Sequence, residues 1–248
     1  GYSDVNGLIM YYEIYGQGKP LVLIHGGGST IQTSFGRLIP HLAKRRQLIG
    51  VELQAHGHTN DRNAELTFEQ DAADVAKLLD NLKIPKADFL GFSNGGQTTI
   101  EIALHHPERV NKIILASILY NRSGVVPQFW EGFDHATLDN MPLVLRQGQL
   151  DANGNDADAL LNTFNKDVRR MKAFKGWSDE QMKAIKAPAL VINGNAGVGS
   201  PEHAVEMFRL IPDCKLAIFP VSHGTYLGAI ESLKNGQWPA FNATSLIE

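Results

Sequence analysis

The chain has 248 residues, of which 43% are hydrophobic and 20% charged, the composition of one globular unit with a large core. The formal net charge of −3 and the scattered Lys and Arg residues leave no basic face, which argues against a nucleic-acid partner. No apolar run reaches the ~18 residues of a membrane span, and the start lacks the features of a signal peptide. We therefore expect a cytoplasmic protein with no membrane partner, either a monomer or a homodimer.

Seven apolar segments predict the strands of a sheet. The first alternates and runs into a turn rich in glycine, and the others are short continuous runs of the kind that are buried on both faces. These segments are residues 8–15, 21–24, 48–51, 88–91, 112–116, 189–192 and 215–219.

Helical segments alternate with these strands. Thr67 and Gln70 have capping-box spacing before an amphipathic stripe, and Ser200 followed by Pro201 is typical of a helix start. Alternating strands and helices predict an α/β fold, a doubly wound and mostly parallel sheet of about eight strands. Active sites in such sheets lie beyond the carboxyl ends of the strands.

The regular spacing of short strands stops between residues 119 and 186, where aromatic residues lie among polar ones. We predict an inserted helical cap at 119–186, between two parts of the core at 1–118 and 187–248. Such a cap would exclude water and supply an apolar substrate pocket, although about half of its aromatic residues could only pack the cap onto the sheet. The predicted pocket residues are His25, Tyr120, Phe129, Trp130, Phe133 and Val221.

A serine flanked by glycines follows the strand at 88–91, in the sequence Gly91-Phe92-Ser93-Asn94-Gly95. On a tight strand-to-helix turn the Ser93 hydroxyl is lifted above the sheet edge, and the glycines are needed because side chains there would collide with neighbouring backbone. The pattern predicts a nucleophile elbow. The alternative is a glycine-rich turn with a solvated serine.

The sequence His25-Gly26-Gly27-Gly28 follows the strand at 21–24, so its amides are expected at the same sheet edge as Ser93. We predict that the N–H groups of Gly27 and Asn94 form an oxyanion hole. A phosphate-binding loop would need a lysine and a spacing that are absent here, and the dinucleotide fingerprint is absent too. We expect His25 to be a structural hydrogen-bonding residue, and we expect no cofactor.

His223 is the predicted general base, because it follows the last strand on a loop that can bring an imidazole to Ser93. The other histidines are weaker candidates. His56 and His58 have no nearby carboxylate or thiol in sequence, so we expect no metal site.

Together these motifs resemble the α/β-hydrolase family over nearly the full chain, closest to small cap-bearing esterases and cofactor-free haloperoxidase-like members. The resemblance rests on the serine elbow, the His25-Gly26-Gly27 loop, residues 52–58, residues 107–110 and Ser222-His223-Gly224. It implies a Ser-His-acid hydrolase that acts on small-molecule esters or related acyl compounds.

One position departs from the family pattern. The acid usually follows the seventh strand, where this chain reads Gly194-Asn195-Ala196-Gly197, so Gly197 stands in place of the aspartate. Val221 also replaces a usual glycine. A glycine cannot accept the Nδ1 proton of the histidine, and a milder change to asparagine in a serine protease costs ~10,000-fold in turnover.

Three explanations for Gly197 stay open. Another acid could reach His223, although Asn195 carries no charge and Glu202 is expected on the following helix. Ser93 and His223 could instead work as a slow dyad. The chain could also be an engineered or silenced scaffold that binds a small apolar ligand or catalyses another reaction in the same pocket.

Overall fold

The computed structural model describes residues 1–233 and residue 237. Within this part of the chain, eight strands form one sheet in the order β1-β2-β4-β3-β5-β6-β7-β8. The pairs β1–β2 and β2–β4 are antiparallel and all other pairs are parallel. The strands are β1 Tyr2–Val5, β2 Leu8–Tyr15, β3 Lys19–Ile24, β4 Arg46–Val51, β5 Ala87–Phe92, β6 Val110–Ala116, β7 Ala189–Ala196 and β8 Cys214–Ser222.

The predicted fold class is therefore confirmed, and each predicted strand is present. Sequence analysis missed β1, which joins β2 through a two-residue turn at Asn6 and Gly7. Both turn residues have positive φ, 53° and 79°, as a tight hairpin of the mirror-image type requires. The Asn-Gly pair was the sequence feature from which this hairpin could have been predicted.

The core helices are α1 Ile31–Phe35, α2 Ile39–Leu42, α3 Phe68–Asn81, α4 Asn94–His105 and, after the helical insertion, Pro201–Leu210. The Thr67 side chain accepts a hydrogen bond from the Gln70 N–H at the start of α3, and Ser200 caps the last helix in the same way. Both caps satisfy N–H groups that have no partner inside the helix. The predicted helix starts are thus confirmed.

Between β6 and β7 the chain forms α5 Pro127–Glu131, α6 Leu143–Asn153, α7 Ala157–Ala173 and α8 Asp179–Lys183, and we number the helix at Pro201–Leu210 α9. We call residues 119–186 the cap. The helical content agrees with what we expected of this segment. Its status as a separate domain, with boundaries at 118 and 187, stays a prediction.

Hydrogen bonds tie the cap to the core. Gln149 of α6 donates to the Ser29 carbonyl oxygen and accepts from the Gly57 N–H. Lys166 of α7 binds both carboxylate oxygens of Asp61 at 2.8 and 2.6 Å. These bonds hold the cap over the carboxyl ends of the strands.

Buried aliphatic and aromatic residues pack on both faces of the sheet in two clusters. One cluster reaches the cap, where Phe174 and Trp177 pack against Phe68 of α3 and Trp130 stacks on Phe174. None of the helices in the described part of the chain has both the length and the hydropathy that crossing a bilayer requires.

Candidate active site

Ser93 lies on the turn between β5 and α4, in a backbone conformation that side chains rarely adopt. Its φ is 52° and its ψ is −124°, and its N–H donates to the Ala116 carbonyl oxygen at 2.9 Å. A Cβ atom at Gly95 would collide with the Ile24 carbonyl oxygen, so the close packing of α4 on β3 needs glycine there. This is the strand-to-helix geometry that sequence analysis proposed for Ser93.

The glycine loop after β3 lies directly against this turn. A Cβ atom at Gly26 would lie 3.2 Å from the Cβ of Ser93, and one at Gly27 would lie 2.6 Å from the Nδ2 of Asn94. The contact follows from the register of the sheet, since Ile24 at the end of β3 is paired with Gly91 of β5. Loop and elbow therefore meet at one sheet edge.

Two backbone N–H groups remain available at this edge. Within residues 1–233, Gly26 N–H donates to the Ser34 hydroxyl, Gly28 N–H to Asp167 and Ser29 N–H to the Gly26 carbonyl oxygen, which leaves the N–H of Gly27. Asn94 is the first residue of α4, where N–H groups have no partner inside the helix. Gly27 and Asn94 are thus suited to stabilise an oxyanion.

His223 lies on the loop after β8 and reaches the same cavity as Ser93. Its ring packs against Phe92, with ring centroids 4.9 Å apart. Burial lowers the pKa of His223 to about 4, so the imidazole is neutral near pH 7. A neutral imidazole is the form that can accept a proton from serine.

The Nδ1 atom of His223 is buried and has no hydrogen-bond partner among the described residues. Gly197 lies beside the His223 backbone, because Ala196 at the end of β7 is paired with Ser222 of β8. A Cβ atom at Gly197 would lie 3.8 Å from the Cα of His223 and 3.7 Å from the Oδ1 of Asn193. A side chain at position 197 would therefore begin next to His223, and the glycine supplies no carboxylate there.

Glu202, one of the acids weighed above, lies in the first turn of α9. The structure brings a different acid near the histidine loop. Glu231 follows on a short turn at Ile230–Ser232, and its Oε1 would lie 3.3 Å from a Cβ atom at Gly224. Its Oε2 is buried without a partner among the described residues, and burial raises the pKa of Glu231 to about 7. Sequence analysis missed Glu231 because it follows the histidine rather than the seventh strand.

Ser93 and His223 share a cavity of about 340 Å³ that the core and the cap enclose together. Of the predicted site residues, it also contains Gly27, Asn94, Phe129 and Phe133. Its remaining wall is mainly apolar and includes Ile118, Leu119, Met141, Pro142, Leu145, Phe164, Val168, Met171 and Val198, with Gln97, Ser117, Asn140 and Asp167 as polar members. Such a cavity suits a small substrate with an apolar body.

Four other predicted pocket residues are not among those that line this cavity. The Tyr120 ring stacks on His203, and the Trp130 Nε1–H donates to the Arg122 carbonyl oxygen while its ring packs on Phe174. Val221 packs against the core cluster that contains Phe92 and Tyr226.

His25, the fourth of these residues, is fully buried. Its Nε2 accepts a hydrogen bond from the Leu53 N–H at 3.1 Å, and burial lowers its pKa to about 3. This is the structural role expected of it.

A buried charge network borders the cavity and was not found from the sequence. Asp167 of α7 accepts hydrogen bonds from the Gly28 N–H at 2.6 Å, from His56 Nε2 at 3.0 Å and from Arg170 at 2.5 Å. Arg170 also donates to Asp71 of α3 at 2.8 Å. Burial alone would raise the pKa of Asp167, but His56 and Arg170 hold it well below its usual range.

Comparison with known proteins agrees with this architecture. The family model for the alpha/beta hydrolase fold matches residues 19–190, and the chain belongs to this family. An enol-lactonase from Burkholderia xenovorans LB400 has a similar structure, with a TM-score of 0.73, 24% identity and coverage of 91% of this chain and 93% of that chain. At this identity the likeness shows the fold.

Sequence relatives include hydrolases. The chain is 33% identical over 123 residues to the 2-hydroxymuconate semialdehyde hydrolase of Pseudomonas sp. strain CF600, covering 48% of this chain and 42% of that protein. It is 26% identical over 249 residues to the 2-hydroxy-6-oxo-6-(2'-aminophenyl)hexa-2,4-dienoic acid hydrolase of Metapseudomonas resinovorans, covering 88% and 82%. The matches to the first curated relatives span less than half of those relatives' length.

Proposed function

We propose that the protein is a serine hydrolase of the carboxylesterase type that acts on small-molecule esters, with Ser93 as nucleophile and His223 as general base. The observation that carries the proposal is the shared cavity of Ser93, His223 and the Gly27 and Asn94 amides, with a strained backbone at Ser93. The family and its relatives that are named hydrolases support the same reaction class.

In the first half-reaction, the Ser93 Oγ attacks the ester carbonyl carbon while His223 takes the hydroxyl proton. The carbonyl oxygen becomes an oxyanion, which the N–H groups of Gly27 and Asn94 stabilise. Collapse of this intermediate breaks the bond to the alcohol oxygen, and His223 returns the proton to the leaving alcohol. The product is an acyl-Ser93 ester.

In the second half-reaction, His223 takes a proton from water, and the resulting hydroxide attacks the acyl carbon. Collapse releases the carboxylic acid and returns the proton to Ser93. No acid at position 197 orients the imidazole or stabilises its protonated form, so both half-reactions are slow compared with a complete triad.

A second candidate function is a binding protein that retains the cavity without turnover. The unpartnered Nδ1 of His223 beside Gly197 favours it, because nothing in the described residues fixes the imidazole tautomer. The dyad and the binder differ in whether Ser93 becomes acylated.

Pre-steady-state kinetics with p-nitrophenyl acetate separates these functions. The dyad gives a burst of about one p-nitrophenolate per protein followed by slow turnover, and Ser93→Ala removes the burst. The absence of a burst in the wild-type protein, with turnover equal to that of Ser93→Ala, would overturn the proposed hydrolase and leave the binder.

A further inference from the structure

Among the described residues, the wall of the Ser93 cavity carries one ionised side chain, the carboxylate of Asp167. A Cβ atom at Gly27 would lie 3.4 Å from Asp167 Oδ2, so the carboxylate sits beside the proposed oxyanion hole. The side chain is 13% exposed and contributes to the cavity wall together with Val168 and Met171 of the same helix.

The basic side chains that pair with Asp167 lie behind it. The side chains of Arg170 and His56 are 3% and 0% exposed, and neither contributes to the cavity wall. Arg170 is shared with Asp71, which divides its charge between two carboxylates. A molecule in the cavity therefore contacts the Asp167 carboxylate directly, whereas Arg170 and His56 lie on its far side.

No positively charged side chain lines this cavity among the residues that the structure describes. His223 is neutral near pH 7, because burial lowers its pKa to about 4. An anionic substrate would lose its hydration in this mainly apolar space and would find no cation to replace it. Like charges brought close together in such a site repel strongly.

Besides the Gly27 and Asn94 amides, a side-chain donor without a partner among the described residues belongs to a residue of the cavity wall. Gln97, in the first turns of α4, is 2% exposed and lines the cavity, and its Nε2 has no partner among the described residues. A buried amide N–H of this kind is satisfied by a neutral acceptor such as a carbonyl or ether oxygen.

We propose that Asp167 is a specificity-determining residue that excludes anionic substrates, so that the Ser93 site takes uncharged or cationic esters with an apolar body. This inference rests on the proposed ester hydrolysis and narrows its substrate class. Asp167 Oδ2 already accepts two hydrogen bonds and Oδ1 accepts one, which leaves Oδ1 able to accept a bond from a substrate hydroxyl or ammonium group.

The test uses p-nitrophenyl esters of three benzoic acids with a meta substituent: carboxylate, carboxamide or aminomethyl. The rigid ring fixes the charge near the reacting carbonyl, and the first two esters have almost the same size. Each kcat/KM is divided by the spontaneous hydrolysis rate of the same ester, which removes differences in intrinsic reactivity. We expect the anionic ester to react at least about 10-fold less efficiently than the carboxamide ester.

Two variants test whether Asp167 causes the difference in kcat/KM between the anionic and neutral esters. Asp167→Asn should narrow the difference between the anionic and neutral esters to within about 3-fold. Asp61→Asn is the matched control, because Asp61 also binds α7 but does not line the cavity, and it should retain the full difference. Equal efficiency for both esters in the wild type, or an unchanged difference in folded Asp167→Asn, would overturn the inference.

A binding measurement separates this inference from the proposed reaction. Calorimetry on Ser93→Ala with benzamide and benzoate compares a neutral and an anionic ligand without turnover. We expect benzamide to bind at least about 10-fold more tightly, even if every ester fails to react and the proposed hydrolase is wrong. Equal binding, or binding of neither ligand, contradicts the role of Asp167.

Discussion

The Cα of His223 lies 3.8 Å from the position that a Cβ atom would take at Gly197. The two residues are neighbours because they follow β7 and β8, which are paired in parallel up to Ala196 and Ser222. A side chain at 197 would thus begin next to His223. The glycine at this position leaves the proposed Ser93–His223 site without a carboxylate there.

Replacing Gly197 with aspartate should restore an acid beside His223. The nearest atom to the new Cβ would be the Gly194 carbonyl oxygen at 3.3 Å, a tight contact that a small backbone shift relieves. We expect kcat for a neutral p-nitrophenyl ester to rise by at least ~100-fold, since triad acids contribute up to ~10,000-fold. Gly197→Asn is the control of equal size, and it should give a much smaller gain. An unchanged rate in folded Gly197→Asp would show that the acid is not missing at this position.

The pH dependence of kcat/KM should report the burial of His223. Its pKa is lowered to about 4, so the wild-type protein should keep its activity down to about pH 4 and lose it below, where the imidazole becomes protonated. In Gly197→Asp the carboxylate favours the imidazolium, which should move this acid limb to higher pH. Profiles of kcat/KM between pH 3.5 and 8 test this prediction, and circular dichroism shows whether the protein stays folded. An acid limb near pH 6.5 in the wild type would contradict it.

The backbone at Ser93 should carry a cost in stability. Its φ of 52° with ψ of −124° suits glycine, so Ser93→Gly should be more stable than Ser93→Ala by about 1–3 kcal/mol. Both variants lack the nucleophile, so the comparison isolates the backbone. Chemical denaturation measures the difference. A stability of Ser93→Gly equal to or below that of Ser93→Ala would mean that the turn is unstrained.

The ionisation of Glu231 should lower the stability of the fold as the pH rises. Its pKa is raised from 4.5 to about 7 by burial, so the folded state holds its proton more tightly than the unfolded state. The stability that this adds is complete below pH 4.5 and is lost as pH rises through 7. Glu231→Gln should therefore gain stability relative to the wild type between pH 5 and 8. Thermal melting across this pH range checks the prediction, with Glu202→Gln as a control. Parallel curves of stability against pH for Glu231→Gln and the wild type would contradict it.

Much of the architecture follows from short-range sequence patterns. The apolar runs predicted the strands, and the caps at Thr67 and Ser200 predicted two helix starts. Because strand ends meet at one sheet edge, Ser93, the glycine loop and His223 could be expected together. The missing acid at Gly197 could be recognised because this position follows β7, where the family resemblance places the acid.

The cavity wall was harder to predict, because it depends on how the cap packs. Trp130 and Tyr120 turn away from the cavity to pack with Phe174 and His203, which no local pattern reveals. Asp167 lies within an amphipathic helix and looks like any exposed acid until α7 is placed against the loop at Gly28. When the role of a charged residue depends on contacts with distant parts of the chain, no characteristic sequence spacing predicts that role.

The central claim is that Ser93 is a nucleophile activated by His223, and covalent labelling tests it most directly. The protein is incubated with a fluorophosphonate at pH 7, and the adduct is measured by intact mass and located by peptide sequencing. We expect one adduct per chain on Ser93, with labelling slowed at least ~100-fold in His223→Ala. An unlabelled protein, an adduct on another residue, or equal labelling rates with and without His223 would contradict the account.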